Sequence, residues 1–342
     1  MAGVALCEPT ELYNILNQAT KISRLAEPNY LCLLDARTKR EYNESHVITA
    51  IRVKQNLLGK YMVPQSVDLE CVRYCVVYDG KTDSLEAAFD VDYDIYDVDK
   101  DLKVYGKPDI TALRGKVSPT EKLLFLDAKS GSAARCARVL QRLTHFPVMV
   151  LRGGYELFTR SYHFLRTQKI FYMPRVRKIS ELEDFKPYPV EILPSKLYLG
   201  DYEQACSKQI QKELKIRAQI NVCEEVGTFF LEEGSSDLLH ISIPDSPEAD
   251  MLSSFTTICH FIDSHIHKEA VLVFSTRGIS RSSTAIIAYL MHSCRLYLKK
   301  AWSYVLKCKA NMRPNRGFVQ QLSDWEKRIY MSTITDISEP NY

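Results

Sequence analysis

The sequence predicts two α/β domains, each with a parallel-rich central sheet flanked by helices. The chain has 342 residues, and one domain usually takes about 100–200 of them. Short apolar segments alternate with helical patterns in both halves, as is typical of parallel strands joined by crossover helices. Prolines 187, 189 and 194 interrupt this alternation and indicate a linker. We therefore expect a first domain at 1–170, a linker at 171–187, a second domain at 188–332 and a loose tail at 333–342.

Composition and charge exclude several classes of protein. Hydrophobic residues make up 46% and charged residues 25%, which is ordinary for a globular chain. The 45 Lys and Arg residues against 42 Asp and Glu residues give a net charge of only +3, which does not favour nucleic acid as a partner. No apolar run approaches the length of a membrane span. No cofactor motif is present, and the oligomeric state is left open.

The cysteines and the N-terminus suggest a compartment. Ten cysteines are scattered without CxxC pairs, which indicates reduced thiols and does not favour zinc. The first thirty residues contain no apolar core of a signal peptide, and Glu8 and Glu11 come early for a transit peptide. We expect a cytoplasmic protein, with the mitochondrion left open as a second compartment.

The first half begins with strand-like segments, followed by a helix and a last strand. The strands are YLCLLDAR, RYCVVYDG, KLLFLDAK and PVMVLRGG, and the helix is SAARCARVLQRL. Between them, residues 89–101 alternate aspartates with apolar residues. A calcium loop starting at Asp90 would need glycine at its sixth place, where Ile95 stands. We therefore expect a solvated acidic loop or an irregular edge strand here, and no metal site.

The second half has its own alternation of strands and helices. The predicted strands are KLYLG, QINVC, LLHISI and AVLVF, and the predicted helices are IQKELKIRAQ, SSFTTICHFIDSHI, LKKAWSYVLKCK and GFVQQLSDWEKRIY. A further helix follows the strand AVLVF after a short loop. This strand, loop and helix carry the chemistry that the sequence predicts.

The loop lies in the stretch VLVFSTRGISRSST, at 271–284. Backbone N–H groups of a glycine-containing loop and the N-terminus of the following helix together suit an anion. Arg281, in the first turn of that helix, could bind a phosphate with two parallel hydrogen bonds. The candidate phosphate-binding residues are Thr276, Arg277, Gly278, Ile279, Ser280, Arg281 and Ser282.

The second half closely resembles the dual-specificity branch of the protein tyrosine phosphatases. PVEILPSKLYLGDYEQA is similar to the opening of that family, SPEADMLSSF to its general-acid loop, GISRSSTAIIAYLM to its phosphate loop, and RPNRGFVQQLSDWE to its closing helix. The resemblance implies the family fold and a site for a phosphorylated residue. Asp245 stands where the family has its general acid, so a residual acid role is possible for it.

Two residues depart from the family's H-C-x5-R loop. Phe274 stands in place of the histidine and Ser275 in place of the cysteine, whereas Arg281 matches. A cysteine at a helix N-terminus becomes a nucleophilic thiolate, but a serine hydroxyl keeps its proton unless a base removes it. No histidine adjoins Ser275. We therefore expect no phosphatase activity and no catalytic residue in this loop.

The first half resembles the rhodanese-like domain that precedes the catalytic domain of the mitogen-activated protein kinase phosphatases. LLDARTKREYNESHV, with Asp35, Arg37 and His46, is similar to the early rhodanese motif, and VMVLRGGYELF to the late one. Sulfur-transferring members begin their active loop with a cysteine. Here that place falls on Ala128 or, if the loop follows the strand CVVYDG, on Asp79. Neither residue can carry a persulfide.

These features predict a regulatory adaptor that binds phosphoproteins or signalling proteins through an inactive phosphatase domain. A weak phosphatase that uses Ser275 or a water molecule is one alternative, and a pure scaffold with a vestigial pocket is another. Kinase docking in the family uses a run of adjacent arginines. This chain has only the spaced Arg52, Lys54 and Lys60, so a MAP kinase is a less favoured partner.

Overall fold

The chain divides into two compact units. The computed structural model describes residues 3–20, 22–56, 61–62, 67–85, 131–169, 185–226, 237–338 and 342. Unit 1 contains Met1–Pro9 and Leu31–Met173, and unit 2 contains Thr10–Tyr30 and Pro174–Tyr342. Both units are α/β, which confirms the predicted fold class. In the described part of the chain, no helix has the length and apolar character needed to cross a bilayer.

Unit 1 is built on a parallel sheet. Its strands are β1 (Val4–Cys7), β2 (Leu31–Asp35), β3 (His46–Val47), β4 (Ile51–Arg52), β5 (Lys54–Gln55), β6 (Tyr61–Met62), β7 (Tyr74–Tyr78), β8 (Val148–Leu151) and β9 (Arg166–Thr167). Five of them form a sheet in the order β1-β8-β7-β2-β4, with every neighbouring pair parallel. The pairs β3–β9 and β5–β6 are short and antiparallel.

The helices of unit 1 follow its strands. The first helix of the chain, α1 (Pro9–Leu16), lies in unit 2 from Thr10 onward, and unit 1 contains α2 (Lys39–Glu44), α3 (Ser132–Leu140) and α4 (Gly154–Ser161). Strand β2 is buried throughout, as its apolar run predicts for a central parallel strand. The predicted strand KLLFLDAK, the acidic segment 89–101 and most of the predicted linker lie outside the described residues.

Unit 2 has a second sheet, with one antiparallel edge. Its elements are β10 (Val190–Leu193), β11 (Leu197–Asp201), α5 (Tyr202–Cys206), α6 (Lys208–Leu214), β12 (Ile216–Asn221), β13 (Asp237–His240), α7 (Phe255–His265), β14 (Ala270–Ser275), α8 (Arg281–Ser293), α9 (Leu298–Cys308) and α10 (Arg316–Tyr330). The strand order is β10-β11-β14-β12-β13, and only β10–β11 is antiparallel. Single turns of 3-10 helix lie at Arg24–Ala26 and Leu252–Ser254 in unit 2 and at His163–Leu165 in unit 1.

Strand β14 and helix α8 form the centre of unit 2. All six residues of β14 are buried, and so are the first eleven residues of α8. Helix α8 packs against α7, α9 and α10, and its apolar residues join those of β11, β12 and β14 in one core. The loop between β14 and α8 is therefore fixed at both ends by buried elements.

One predicted helix is too long. The pattern IQKELKIRAQ predicts a helix over 210–219, but α6 ends at Leu214 and β12 begins at Ile216. Lys215 lies between them with φ of 55°, a left-handed conformation that ends a helix. The apolar Ile216, Ala218 and Ile220 then alternate along a strand that pairs with β14, so sheet pairing prevails over helical propensity here.

Helix α1 is tied to unit 2 by polar side chains on and just after it. The Asn14 amide donates to the Glu191 carbonyl at 2.8 Å and accepts from the Glu191 N–H at 2.7 Å, as a neighbouring strand would at the edge strand β10. Gln18 donates to the Cys308 carbonyl at 2.7 Å, and Tyr13 donates to the Pro189 carbonyl at 2.8 Å. Residues 10–30 therefore complete unit 2, although 177 positions separate Asn14 from Glu191 in the sequence.

The C-terminal segment is not wholly loose. The buried Glu326 carboxylate accepts hydrogen bonds from the backbone N–H groups of Ile334 and Thr335 at 2.9 and 2.8 Å. The Tyr342 ring packs on Trp302 with centroids 5.1 Å apart. In the segment expected to be loose, Ile334 and Thr335 are therefore held by hydrogen bonds, because a buried carboxylate needs donors and the segment supplies them.

Candidate phosphate-binding site

The predicted loop lies at the carboxyl end of a central strand. Strand β14 runs between the parallel strands β11 and β12 and ends at Ser275, and residues 276–280 connect it to α8. Ligands of open α/β sheets bind at this edge, where loops leave the strand ends. The loop could be located from the sequence because strand, loop and helix are consecutive in the chain.

Gly278 fixes the path of the loop. Its φ is +65°, a conformation that L side chains rarely adopt. A Cβ at this position would lie 2.6 Å from the Gly200 carbonyl oxygen and 2.9 Å from the Gly200 carbonyl carbon. The loop therefore packs directly on the end of β11, where only glycine fits.

The loop leaves several backbone donors unpaired. Gly278 N–H donates to the Ser275 carbonyl at 3.1 Å, but within the described ranges the N–H groups of Arg277, Ile279 and Ser280 have no hydrogen-bond partner. The first N–H groups of α8 are also free of helical partners, as at any helix N-terminus. Such donors, together with the helix dipole, favour an anion at this place.

Arg281 is buried beside these donors. Its Nη1 donates to the Ile243 carbonyl at 2.7 Å and its Nη2 to the Thr276 hydroxyl at 2.9 Å. Its Nε is buried and has no hydrogen-bond partner among the described residues, since Asp245 Oδ2, at 3.9 Å, is too distant to accept one. A buried N–H left unpaired costs about 1–3 kcal/mol, which an oxyanion would recover.

Ser275 has no base beside it. The side chain is 2% exposed, and its Oγ lies 3.0 Å from the Ser282 Oγ, the one hydrogen-bond partner that it has in the described chain. Neither hydroxyl can deprotonate the other at neutral pH. Phe274 is fully buried and meets the Tyr202 ring edge-on, with centroids 6.4 Å apart. The two residues that depart from the family motif are thus both buried.

Asp245 lies against the loop, as the resemblance implies. Its Oδ1 accepts from the Ser280 hydroxyl at 2.7 Å and from the Asn315 amide at 3.0 Å. Asn315 also caps α10 through the Phe318 N–H. Asp245 forms no hydrogen bond with Ser275. The structure therefore brings Asp245, Ser280 and Arg281 together, and it adds Asn315, which sequence reasoning missed.

A second carboxylate, which the sequence did not indicate, contacts the loop. The Thr276 hydroxyl donates to Glu225, at 3.1 Å from Oε1 and 2.9 Å from Oε2. Hydrogen bonds from its own backbone N–H, Cys223 and Thr276 lower the pKa of Glu225, so it is a carboxylate at neutral pH. Its backbone is held by Asn221, whose amide donates to the Glu225 carbonyl at 2.8 Å.

Cys223 is a buried cysteine next to this network, and it is not a nucleophile. Burial, with Glu225 nearby, raises its pKa to about 11. Its sulfur also lies 2.8 Å from Asn221 Oδ1. A protonated, buried thiol of this kind is inert.

In unit 1, the residues of the early rhodanese motif are structural. Arg37 pairs with the buried Asp35 at 2.6 Å, and its guanidinium lies 3.7 Å from the centre of the Tyr155 ring. His46 stacks on Tyr42 with centroids 4.0 Å apart. These contacts join β2, α2 and α4 rather than forming a reactive group.

Asp79 occupies the position in unit 1 where a ligand would meet a helix N-terminus. Its carboxylate accepts from the Ala133 N–H of α3 at 3.0 Å and from the Thr82 N–H and hydroxyl at 2.8 and 2.6 Å. Burial acts to raise the pKa of Asp79, but these hydrogen bonds outweigh it and lower the pKa overall. Of the two positions predicted for the missing cysteine, Ala128 lies outside the described residues.

Two of the three basic residues considered for kinase docking lie in the described part of the chain. Arg52 ends β4 and Lys54 begins β5, whereas Lys60 lies outside the described residues. Arg52 is one of the residues that line a cavity of about 1010 Å³ at the strand ends of unit 1, together with Arg37 and Asp79.

Comparison with known families identifies two domains. Residues 9–161 match the rhodanese-like domain, and residues 197–328 match the catalytic domain of dual specificity phosphatases. The chain therefore has a rhodanese-like domain followed by a dual-specificity phosphatase domain, as the sequence predicts.

Several phosphatases are similar to this chain. Dual specificity protein phosphatase Mpk3 of Drosophila melanogaster is 33% identical over 147 residues, which are 43% of this chain and 36% of that protein. Dual specificity protein phosphatase 4 of Gallus gallus is 32% identical over 214 residues, 58% of this chain and 56% of that protein. A probable rhodanese domain-containing dual specificity protein phosphatase of Dictyostelium discoideum is 28% identical, over 53% of this chain and 37% of that protein. The aligned part of the chain thus spans less than two thirds of each relative.

Solved structures are similar to part of this chain. Human DUSP28 is 27% identical, with a TM-score of 0.39 over 41% of this chain and 97% of that one. The human tyrosine phosphatase-like serine/threonine/tyrosine-interacting protein is 30% identical, with a TM-score of 0.37 over 42% of this chain and 97% of that one.

Proposed function

We propose that the chain is a catalytically inactive pseudophosphatase of the serine/threonine/tyrosine-interacting-like type, which binds phosphorylated proteins as a regulatory adaptor. The observation that carries this proposal is the unpaired Nε of the buried Arg281, beside loop N–H groups that also lack partners among the described residues. A phosphate group, with three acceptor oxygens, would satisfy these donors at once.

The absence of activity follows from Ser275. In the phosphatases that this domain resembles, a thiolate at this position attacks phosphorus. The Ser275 hydroxyl is hydrogen-bonded to the Ser282 hydroxyl, and among the described residues no base is hydrogen-bonded to it. General-acid catalysis by Asp245 would raise the rate of hydrolysis by about 10²–10⁴-fold, but it has no effect without a nucleophile that attacks phosphorus.

Binding is tested with the two-domain chain and a phosphotyrosine peptide, with sodium tungstate as a small oxyanion. Wild type should bind both, and each should raise the melting temperature by linkage. Arg281→Ala should lose both effects, and Arg281→Lys should lose most of the affinity, because lysine cannot form the bidentate pair.

Arg313→Ala is the matched control. Arg313 is exposed, and its backbone N–H donates to the Ile279 carbonyl at 2.9 Å, so the substitution removes the same charge near the loop without removing a loop contact. It should bind like wild type. Urea unfolding of each variant, followed by the fluorescence of Trp302 and Trp325 in unit 2, separates lost binding from lost folding.

Two other outcomes would replace the proposal. Hydrolysis of an aryl phosphate that disappears in Ser275→Ala would show a weak phosphatase. No binding of phosphopeptide or tungstate at millimolar concentration would favour a pure scaffold, whose partners use other surfaces. The identity of the partner, including a MAP kinase, would then be sought independently of Arg281.

A further inference from the structure

The phosphate loop is in contact with a carboxylate on its rim. The Thr276 hydroxyl accepts from Arg281 Nη2 at 2.9 Å and donates to the Glu225 carboxylate, so one hydroxyl links the buried guanidinium to an exposed negative charge. Glu225 is exposed, and a ligand that enters the loop would therefore meet it.

Two carboxylates offset the cations that the loop itself carries before any ligand arrives. The loop carries two cations, the buried Arg281 and the exposed Arg277. Two carboxylates face them: Glu225, which contacts Thr276, and Asp245, which contacts Ser280 on the other side of the loop. A phosphate monoester brings up to two negative charges, so the loop and its rim together do not neutralise it.

A ligand could supply a further cation, next to the Glu225 carboxylate. A lysine or arginine beside the phosphorylated residue would pair with Glu225 while the phosphate binds the loop donors, whereas an acidic neighbour would be repelled by the same carboxylate.

We propose that Glu225 is a specificity-determining residue, which makes the loop prefer phosphopeptides with a basic residue next to the phosphorylated one. This inference rests on the proposed binding of phosphoproteins. Glu225 lowers the affinity for a bare oxyanion by charge repulsion. For a phosphopeptide with a neighbouring lysine or arginine, the pairing of that residue with Glu225 offsets the repulsion.

The test uses three fluorescent phosphotyrosine peptides that differ only in the flanking residue: lysine, glutamine or glutamate. Anisotropy titrations of the wild-type chain should rank their affinities in that order. In Glu225→Gln, the amide oxygen can still accept from Thr276, so the loop contact is retained without the charge. We expect the preference for the lysine peptide over the glutamate peptide to fall by about 3- to 10-fold, the size of one partly exposed charge, and the affinity for tungstate to rise by a similar factor.

Glu224→Gln is the matched control. Glu224 is the exposed neighbour of Glu225 and forms no hydrogen bond or ion pair in the described part of the chain, and its substitution changes the net charge equally. Its peptide ranking should equal that of wild type. If Glu224→Gln and Glu225→Gln shift the ranking alike, the effect is a general one and the role of Glu225 is refuted.

The outcomes distinguish this inference from the proposed function. If peptides bind, Arg281→Ala abolishes binding and Glu225→Gln leaves the ranking unchanged, the adaptor function stands and the specificity role falls. If neither wild type nor Glu225→Gln binds any peptide or tungstate, both are overturned.

Discussion

The substitution Ser275→Cys should produce a reactive thiolate. The introduced sulfur would lie at the end of β14, near the Ser282 hydroxyl, which is 3.0 Å from the present oxygen, and near the unpaired N–H groups of the loop. An ordinary thiol has a pKa of about 8.5 and is about 3% thiolate at pH 7, whereas a pKa of about 5.5 would give about 97%. We therefore expect the thiolate fraction to rise about 30-fold above that of an ordinary thiol.

Alkylation measures this shift directly. The Ser275→Cys variant is treated with iodoacetamide from about pH 5 to about pH 9, and the modified peptides are quantified by mass spectrometry. Cys223 serves as an internal reference, because burial raises its pKa to about 11 and it should stay unmodified. A midpoint for residue 275 at or above about 8.5 would falsify the idea that the loop stabilises negative charge.

The same substitution should restore phosphatase activity in part. Ser275→Cys should hydrolyse an aryl phosphate slowly, Phe274→His alone should not, and the double variant should be fastest. Adding Asp245→Asn to the double variant should lower its turnover rate by roughly 10²-fold if Asp245 acts as the general acid. Phe274 is fully buried, so a histidine there must be shown to fold by tryptophan fluorescence. A folded double variant without turnover or a phosphocysteine would mean that more than the nucleophile has been lost.

Three further predictions concern stability, measured by urea unfolding followed by circular dichroism. Gly278→Ala should destabilise unit 2 by about 2–4 kcal/mol, because an alanine is strained at this positive φ and its Cβ would overlap a backbone carbonyl. The control is Gly80→Ala, which should be nearly neutral because its Cβ would meet nothing closer than 3.9 Å. Asn14→Ala should lower the free energy of unfolding by about 2–4 kcal/mol, since it leaves two backbone groups of β10 unpaired. An unchanged urea midpoint would show that α1 does not contribute to the stability of unit 2. Burial acts to lower the pKa of His265, but a backbone carbonyl and Asp237, 2.7 Å away, raise it overall. The ion pair therefore stabilises the fold fully at pH values below the ordinary histidine pKa, and this stabilisation is lost as the pH rises through the raised pKa of His265. Asp237→Asn should lower the free energy of unfolding by up to about 1 kcal/mol at about pH 5.5 and by little at about pH 8.5.

Local patterns predicted the fold and the position of the loop. The strand before the loop, the glycine within it and the helix after it are consecutive in the sequence, and burial of β14 and α8 follows from their apolar residues. Helix α6 was predicted too long because helical propensity cannot register that the following residues pair with β14. The early rhodanese motif was also found by pattern, but its residues proved to be packing contacts.

The contacts that determine what the loop can bind were not predictable in this way. Glu225 lies 51 positions before Thr276, in the connection after β12, and no spacing rule relates the two. They meet because β12 and β14 are neighbours in the sheet and their carboxyl ends lie at the same edge. The hydrogen bonds between α1 and the rest of unit 2 could not be predicted from the sequence either, because they join side chains to backbone groups 176 and 177 positions away.

The two units treat the N-terminus of a helix in different ways. In unit 1, the Asp79 carboxylate accepts directly from the Ala133 N–H of α3, so an internal anion fills the place that an external one would take. In unit 2, Glu225 and Asp245 accept from the hydroxyls of Thr276 and Ser280, and the backbone donors and Arg281 Nε have no partner among the described residues. An oxyanion would have to displace a buried carboxylate in unit 1, but in unit 2 it would only have to tolerate two carboxylates at the rim. Binding of tungstate should therefore depend on unit 2 alone, and a loss of binding caused by Asp79→Asn in a protein that still folds would contradict this distinction.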